Sequence, residues 1–144
     1  MSLTLINDVF NTVRGHLRYE SDQTVFGKLE FWKSWHKEIA ATNGIFKDDC
    51  DGFALTMAEM LLQKGLKPEH VAICYCAIVE EARPNNKEYH LATKVFNPED
   101  GFWYIMDNNV NRPQRRKNAG GYGWGFEWIS CMYADRPGDW VKDQ

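Results

Sequence analysis

The stretch DDCDGFALTMAEMLLQKGL, residues 48–66, decides the fold of this chain. Its small and apolar residues recur at steps of three and four and so form one stripe along a helix: Phe53, Ala54, Met57, Ala58 and Leu61. Asp48 and Asp49 offer side-chain oxygens that cap the start of such a helix, and Gly65 supplies its stop. The stretch therefore predicts an amphipathic helix with Cys50 at its N-terminus.

Two further helices are expected upstream of this stretch. Residues 3–17 carry a similar apolar stripe and predict a helix that ends near Tyr19; the stripe consists of Leu3, Ile6, Phe10, Val13 and Leu17. Residues 28–41 predict an aromatic-rich helix that contains Trp32.

Downstream of the stretch the pattern changes to strands. Residues 71–79 are almost continuously apolar, as in the central strand of a sheet. Three more strands are expected, at 90–96, 102–106 and 126–133. The segments 81–88 and 108–123 are polar, contain proline and are interpreted as loops. Helices followed by strands indicate an α+β fold, and residues 1–144 are expected to form a single domain because no internal boundary is visible.

The composition limits the kinds of partner. Of the 144 residues, 44 % are hydrophobic, and 17 Lys and Arg against 20 Asp and Glu give a net charge of −3. Generic nucleic-acid binding usually needs a basic excess, so no nucleic acid is expected as a partner. No apolar stretch is long enough to span a bilayer, and the first ten residues do not resemble a secretory signal. We therefore expect no membrane association and a cytoplasmic location.

Cys50 is the first candidate for chemistry. A thiol at a helix N-terminus lies near unsatisfied N–H groups and the positive end of the helix dipole, which favour the thiolate. The carboxylates at positions 48, 49 and 51 oppose this effect, so a thiolate here needs a cationic partner such as a histidinium. A lone cysteine is more often a small buried residue, and the interpretation therefore depends on the rest of the chain.

His90 and Asp107 are the residues that could complete an active site. His90 opens one predicted strand, and Asp107 follows the next. A nucleophile at a helix start, a base on one strand and an orienting acid on the adjacent strand form a papain-type arrangement. We predict the hairpin register that places Phe96 opposite Gly101 and His90 directly opposite Asp107, or a bulge that has the same effect. A shift of one residue would move Asp107 to the other face of the sheet.

Four blocks of the sequence resemble the bacterial transglutaminase-like cysteine proteinases: DCDGFALTMAEMLLQKGL (49–66), VAICYCAIVE (71–80), YHLATKVF (89–96) and WYIMDNNV (103–110). The resemblance extends over roughly residues 5–113, and the block around the cysteine is its most specific part. It implies a papain-like or transglutaminase-like fold with a catalytic triad, in which Cys50 is the nucleophile, His90 the general base and Asp107 the orienting acid.

The resemblance also implies what surrounds the thiol. The backbone N–H of Cys50 is the natural oxyanion donor. Trp32 matches a tryptophan often present in the family, either as a second donor or as a packing wall of the cleft, and Asp49 is a further cleft candidate. Some family members bind calcium through acids close to the cysteine. Asp49 and Asp51 could supply oxygen ligands for calcium, although Gly52 stands where the family usually has another acid; no other cofactor is expected.

Three functions remain open at this point. The leading one is a thiol hydrolase that acts on the peptide or amide bonds of a protein or peptide substrate through an acyl-enzyme intermediate. A transglutaminase or glutamine deamidase would use the same triad, since the outcome depends on whether water or an amine arrives next. The third is a non-catalytic protein-binding module on the same fold.

Other conspicuous features are interpreted as structural. Cys74 and Cys76 lack the two-residue spacing and the second ligand pair of a zinc site, so we expect buried strand residues with free thiols. The basic run 112–117 is interpreted as a solvated loop and the glycine-rich segment 120–125 as a flexible cover over the site. The histidines other than His90 are expected at the surface.

Overall fold

The computed structural model describes residues 2–19, 46–48 and 50–142; the predicted helix at 28–41 lies outside them. The first elements are helix α1 (Ser2–His16), strands β1 (Leu17–Tyr19) and β2 (Phe46–Asp48), and helix α2 (Cys50–Gln63). There follow strands β3 (Val71–Glu80), β4 (Arg83–Asn97), β5 (Phe102–Met106), β6 (Gln114–Arg115), β7 (Gly120–Gly121), β8 (Trp124–Tyr133) and β9 (Trp140–Lys142). Short 3-10 helices occupy Pro68–His70 and Arg116–Asn118.

Helix α1 buries most of the predicted stripe but is shorter than expected. Leu3, in the first turn, is 40 % exposed, whereas the buried residues are Ile6, Val9, Phe10 and Val13. The helix ends at His16 rather than near Tyr19, because the next three residues form β1 and pair in parallel with β2. Strand pairing satisfies the backbone groups of these residues in place of another helical turn.

Helix α2 confirms the prediction made from residues 48–66. The whole predicted stripe is buried: Phe53, Ala54, Met57, Ala58 and Leu61. Past the helix end, the N–H of Leu66 donates to the carbonyl of Leu61 at 3.2 Å, and the N–H of Gly65 donates to that of Leu62 at 3.0 Å. This is a Schellman motif, and it requires the left-handed conformation that Gly65 adopts, with φ of +99°.

In the described part of the chain, seven strands form one sheet with the order β6-β5-β4-β3-β8-β7 and with β9 beside β8. Strand β3 lies in the interior between β4 and β8, as its apolar run predicted. The pairings of β3 with β4, of β3 with β8 and of β4 with β5 are antiparallel. The sheet therefore fixes the position of His90, in the middle of β4, relative to the end of β5.

The prediction of a loop at 81–88 is wrong. Only Glu81 and Ala82 separate β3 from β4, which is 15 residues long. Pro84 is accommodated because β5 pairs only with residues 93–97 of β4. The earlier part of β4 has no described strand on that side, and proline is tolerated in such an edge segment.

The prediction of one long loop at 108–123 also needs correction. Strand β6 pairs with β5, and strand β7 pairs with β8. The side chain of Gln114 accepts the N–H of Gly120 at 2.9 Å and donates to its carbonyl at 3.1 Å. The glycine-rich segment 120–125 therefore belongs to a paired hairpin and is not the loose cover that was expected.

Hydrophobic side chains lie on both faces of the sheet. On the first, called here the helix face, Thr93 Oγ1 donates to the carbonyl of Ala54 in α2 at 2.7 Å. Around this contact α1 and α2 pack against sheet residues that include Val71, Ile73, Leu91, Val95 and Met106. The second face, called the far face, carries smaller clusters built on Ala72, Cys74, Cys76, Ala92, Ile105 and Cys131. Cys74 and Cys76 are buried strand residues, as predicted.

Two of the other histidines are half-buried in the structure. His70 is half-buried with its ring 5.0 Å from that of Phe96, and His16 is half-buried too, so neither has the surface position that was expected. His36 lies outside the described residues. Among the helices that the structure describes, none combines the length and the apolar character that crossing a membrane requires.

Candidate active site

Strand β4 carries His90, and Asp107 directly follows β5. The two strands pair in a register that joins Thr93 to Met106. This register differs by two positions from the predicted one, so the prediction that His90 lies directly opposite Asp107 is wrong. A shift of two residues nevertheless leaves every side chain on its own face of the sheet. His90 and Asp107 therefore meet diagonally across the two strands.

The turn between β4 and β5 explains the shift. Asn97 Oδ1 accepts the backbone N–H of Glu99 at 3.1 Å, and Asp100 Oδ1 accepts that of Phe102 at 2.9 Å. These side-chain turns start the four-residue loop one residue later than the sequence pattern suggested. The chemistry of the turn therefore sets which residues of the two strands face each other.

His90 and Asp107 form a buried hydrogen-bonded pair. Nε2 of His90 lies 2.5 Å from Oδ1 of Asp107, and the two residues are only 6 % and 2 % exposed. Because the carboxylate accepts, Nε2 carries the proton. Little water competes at this depth, which strengthens a charge-assisted hydrogen bond. The pair can hold the imidazole in one orientation and stabilise its protonated form.

The carboxylate is itself held in place by the chain that follows it. Oδ2 of Asp107 accepts the backbone N–H of Asn109 at 3.3 Å. The carbonyl of Asp107 accepts the N–H of Val110 at 3.4 Å, and the Val110 side chain is buried in the helix-face core. The segment after β5 thus holds both the side chain and the main-chain carbonyl of Asp107 by hydrogen bonds.

Aromatic residues of β8 pack beside the pair on the far face. Phe126 stacks on the His90 ring and Trp128 stacks on Phe126, while the Arg116 guanidinium lies 5.3 Å from the Trp128 ring centroid. Arg116 is therefore packed on an aromatic ring rather than fully solvated as predicted. Sequence analysis missed Phe126; the available signal was the alternation of rings at 124, 126 and 128, which places all three on one face of a strand.

Cys50 is the first residue of α2, at the predicted position; its side chain is outside the described part of the structure. The direction of the helix follows from two contacts. The second half of α2 lies against the start of β3, which pairs with β4 at Val95, whereas Ala54 in the second turn contacts Thr93. The helix therefore begins toward the end of the sheet at which His90 lies.

His90 does not face α2 directly. Leu91 and Thr93 belong to the helix face, so alternation along β4 places His90 on the far face. The last described pair between β4 and β5 is Thr93 with Met106, which leaves β4 without a described neighbour on that side at His90.

The remaining predicted site residues cannot be placed. Trp32 and Asp49 lie outside the described residues, as does the side chain of Asp51. The roles of Trp32 as oxyanion donor or cleft wall, of Asp49 as a cleft residue, and of Asp49 and Asp51 as calcium ligands remain predictions. Within residues 2–19, 46–48 and 50–142, no group of three or more His, Cys, Asp or Glu side chains could hold a metal ion.

Comparison with known proteins identifies the fold. No family model and no curated protein matches the sequence. Calcium-bound LapG of Legionella pneumophila matches the structure with a TM-score of 0.67 and 16 % identity, over 98 % of this chain and 71 % of LapG. EGTA-treated LapG matches with 0.66 and 16 % identity, over 98 % and 67 %. A further LapG structure gives 0.62 and 16 % identity, over 91 % and 65 %.

These matches show that the chain has the fold of LapG, an α+β arrangement of the transglutaminase-like type. The fold class expected from the sequence is thereby confirmed: helices packed on an antiparallel sheet, with Cys50 at a helix N-terminus.

Proposed function

We propose that this chain is a thiol hydrolase of peptide or amide bonds in which Cys50, His90 and Asp107 form the catalytic triad. The observation that carries the proposal is the buried hydrogen bond between His90 and Asp107. Its support comes from the position of Cys50 at the start of α2, from the fold shared with LapG and from the sequence resemblance to transglutaminase-like cysteine proteinases.

The proposed reaction begins with the proton of the thiol. Asp107 engages Nε2, so Nδ1 is the ring atom that accepts the proton from Cys50. The resulting imidazolium is stabilised by the carboxylate. The thiolate is stabilised by the positive end of the α2 dipole and by the imidazolium, which offset the acidic residues beside it.

The thiolate then attacks the carbonyl carbon of the substrate amide. The backbone N–H of Cys50 donates a hydrogen bond to the developing oxyanion. The imidazolium gives its proton to the departing amine, the carbon–nitrogen bond breaks and a thioester remains. His90 then takes a proton from a water molecule, whose oxygen attacks the thioester carbon. The carbon–sulfur bond breaks and releases the carboxylic acid, and the imidazolium returns its proton to the thiolate.

The substrate of this proposal is a protein or peptide. If an amine attacks the thioester instead of water, the product is a cross-linked chain. If the amide is that of a glutamine side chain and water attacks, the product is a deamidated chain that differs from the substrate only by a small change in mass. Mass spectrometry of the products distinguishes these outcomes from chain cleavage.

Calcium enters the proposal as a ligand near the cysteine and in no step of the reaction. LapG has been observed in a calcium-bound form, and carboxylates at Asp49 and Asp51 have the oxygen chemistry that calcium prefers. Thiol reactivity is therefore to be measured with calcium and with EGTA in parallel.

The test is alkylation of the native protein by iodoacetamide near pH 6, with the modified cysteines located by mass spectrometry. An ordinary thiol is almost fully protonated at that pH, whereas an ion-paired thiolate reacts about tenfold to a hundredfold faster. We expect fast labelling at Cys50 that is lost in the His90→Ala variant. The Cys131→Ala variant is the matched control, because Cys131 is buried and free; its labelling at Cys50 should equal that of the parent protein.

Slow labelling spread over all four cysteines, or fast labelling of Cys50 that survives His90→Ala, would contradict the proposal. Either result would favour a non-catalytic binding module on the same fold.

A further inference from the structure

The ring of Phe126 stacks beside the His90 imidazole in an offset arrangement. The ring centroids are 6.5 Å apart and the planes are inclined by 25°, within the range of stacked aromatic pairs. Phe126 of β8 pairs with Ile78 of β3. His90 of β4 pairs with Cys76, which lies two residues before Ile78 on β3. The two rings thus lie on the far face, across the central strand β3 from each other.

Phe126 is held rigidly by its own neighbours. Trp128 stacks on it at 4.8 Å with an inclination of 19°, and Trp124 meets it edge-on at 5.2 Å and 72°. The Arg116 guanidinium adds a cation–π contact on Trp128 at 5.3 Å. A side chain fixed from several directions can in turn fix the ring beside which it stacks.

We propose that Phe126 is a positioning residue for His90: its ring fixes the plane of the imidazole and keeps water from the hydrogen bond between His90 and Asp107. The inference rests on the proposed function for its catalytic meaning. The hydrogen bond from Nε2 of His90 to Asp107 holds one ring atom but still allows the imidazole to rotate about that bond. A flat surface against the ring removes this freedom, as a productive geometry requires.

The charged and titratable groups around His90 come from four directions. Asp107 follows β5 and binds Nε2. On β3, the Cys76 thiol donates to the His90 carbonyl at 3.5 Å. Glu88 lies two residues earlier on the same face of β4, and Arg116 lies beyond Trp128. Phe126 carries no charge, unlike these groups. Its contribution to His90 is therefore shielding and orientation.

The test observes the Nε2 proton of His90 by proton NMR. An imidazole N–H bonded to a buried carboxylate is visible as a separate downfield signal only while it exchanges slowly with water. The measurement is made in the full chain and in the Cys50→Ala variant, and the signal is assigned by its loss in His90→Ala. Because Cys50→Ala leaves His90 and Asp107 unchanged, the signal does not depend on activity.

We expect Phe126→Ala to speed the exchange of this proton by about threefold to tenfold, the range that corresponds to one lost aromatic contact. Phe126→Leu keeps most of the volume but not the flat face and should speed it by at least threefold. Phe126→Tyr keeps the ring and should leave the exchange unchanged.

Phe96→Ala is the matched control. Phe96 is a half-buried phenylalanine on the same face of β4 as His90, and its ring contacts are with His70 and Trp103. Unchanged exchange in both Phe126→Ala and Phe126→Leu, or equal acceleration in Phe96→Ala, would overturn the inference. A parent protein that shows the protected proton but no His90-dependent labelling of Cys50 would refute the proposed function and leave the positional role of Phe126 intact.

Discussion

Asp107 is the residue on which the geometry of the site depends most. Its side chain is almost fully buried, and a buried carboxylate is costly unless hydrogen bonds compensate for the lost water. Here Oδ1 is bound by the His90 ring and Oδ2 by the N–H of Asn109. Both oxygens of the side chain are thus held by hydrogen bonds, which fixes the position of the acid beside the imidazole.

Asp107→Asn keeps the size of this side chain but removes its charge. We expect the alkylation rate of Cys50 near pH 6 to fall by about tenfold or more, because the imidazolium that stabilises the thiolate is no longer supported. Asp139→Asn, in an exposed segment outside the site, should leave the rate unchanged. A full rate in the Asp107→Asn variant would show that the carboxylate has no electrostatic role.

The β4–β5 hairpin is the element that sets the register of the site, and a second carboxylate stabilises its turn. Asp100 Oδ2 accepts the Tyr104 hydroxyl at 2.5 Å. This hydrogen bond is the main reason why the pKa of Asp100 lies below its ordinary value of 3.8, with the N–H of Phe102 contributing in the same direction. A lowered pKa means that the folded state favours the ionised form, so its contribution to stability is present above pH 3.8 and is lost as the pH falls through the lower folded value.

Tyr104→Phe should raise the pKa of Asp100 toward its ordinary value, as measured by NMR titration of the carboxyl carbon. The variant should lose stability to urea at neutral pH, and the difference from the parent should shrink in acid, where Asp100 is protonated in both proteins. Tyr122→Phe removes a hydroxyl from a fully exposed tyrosine and should change neither quantity. A pH-independent difference would contradict the assignment.

The same substitution, glycine to alanine, should change the free energy of unfolding in opposite directions at the end of helix α2 and within helix α1. Gly65→Ala places a side chain at φ of +99° and should lower the free energy of unfolding by about 1 kcal/mol. Gly15→Ala, in the exposed part of helix α1, should raise it by up to ~1 kcal/mol because alanine favours the helix. Urea unfolding measures both, and a loss of similar size at both positions would contradict the role of Gly65 as a helix stop.

At the scale of the whole molecule, the sequence predicts best where one periodicity dominates. The stripe of α2 and the apolar run of β3 identified a helix and a central strand correctly, because burial on one or both faces leaves a clear pattern. Polar content misled at 81–88, where pairing with β3 extends β4 despite Pro84. Pairing with a distant segment, as of β1 with β2, leaves no local signal at all.

The candidate site shows the same division. His90 and Asp107 could be proposed from their strands, since parity along a strand survives a two-residue error in register. The error itself came from Asn97 and Asp100, whose side-chain turns are not encoded in hydrophobic periodicity. Phe126 was missed because its contact with His90 depends on β8 lying next to β3, an order that the sequence does not reveal.

Strand β4 also fixes the distance between two residues that matter for the site. Thr93, which donates a hydrogen bond to the carbonyl of Ala54 in α2, and His90 are three residues apart on this strand, a span of about 10 Å. The distance between the residue that contacts helix α2 and the imidazole is thus set within a single strand. An inserted or deleted residue between those two positions would turn the imidazole to the opposite face of the sheet.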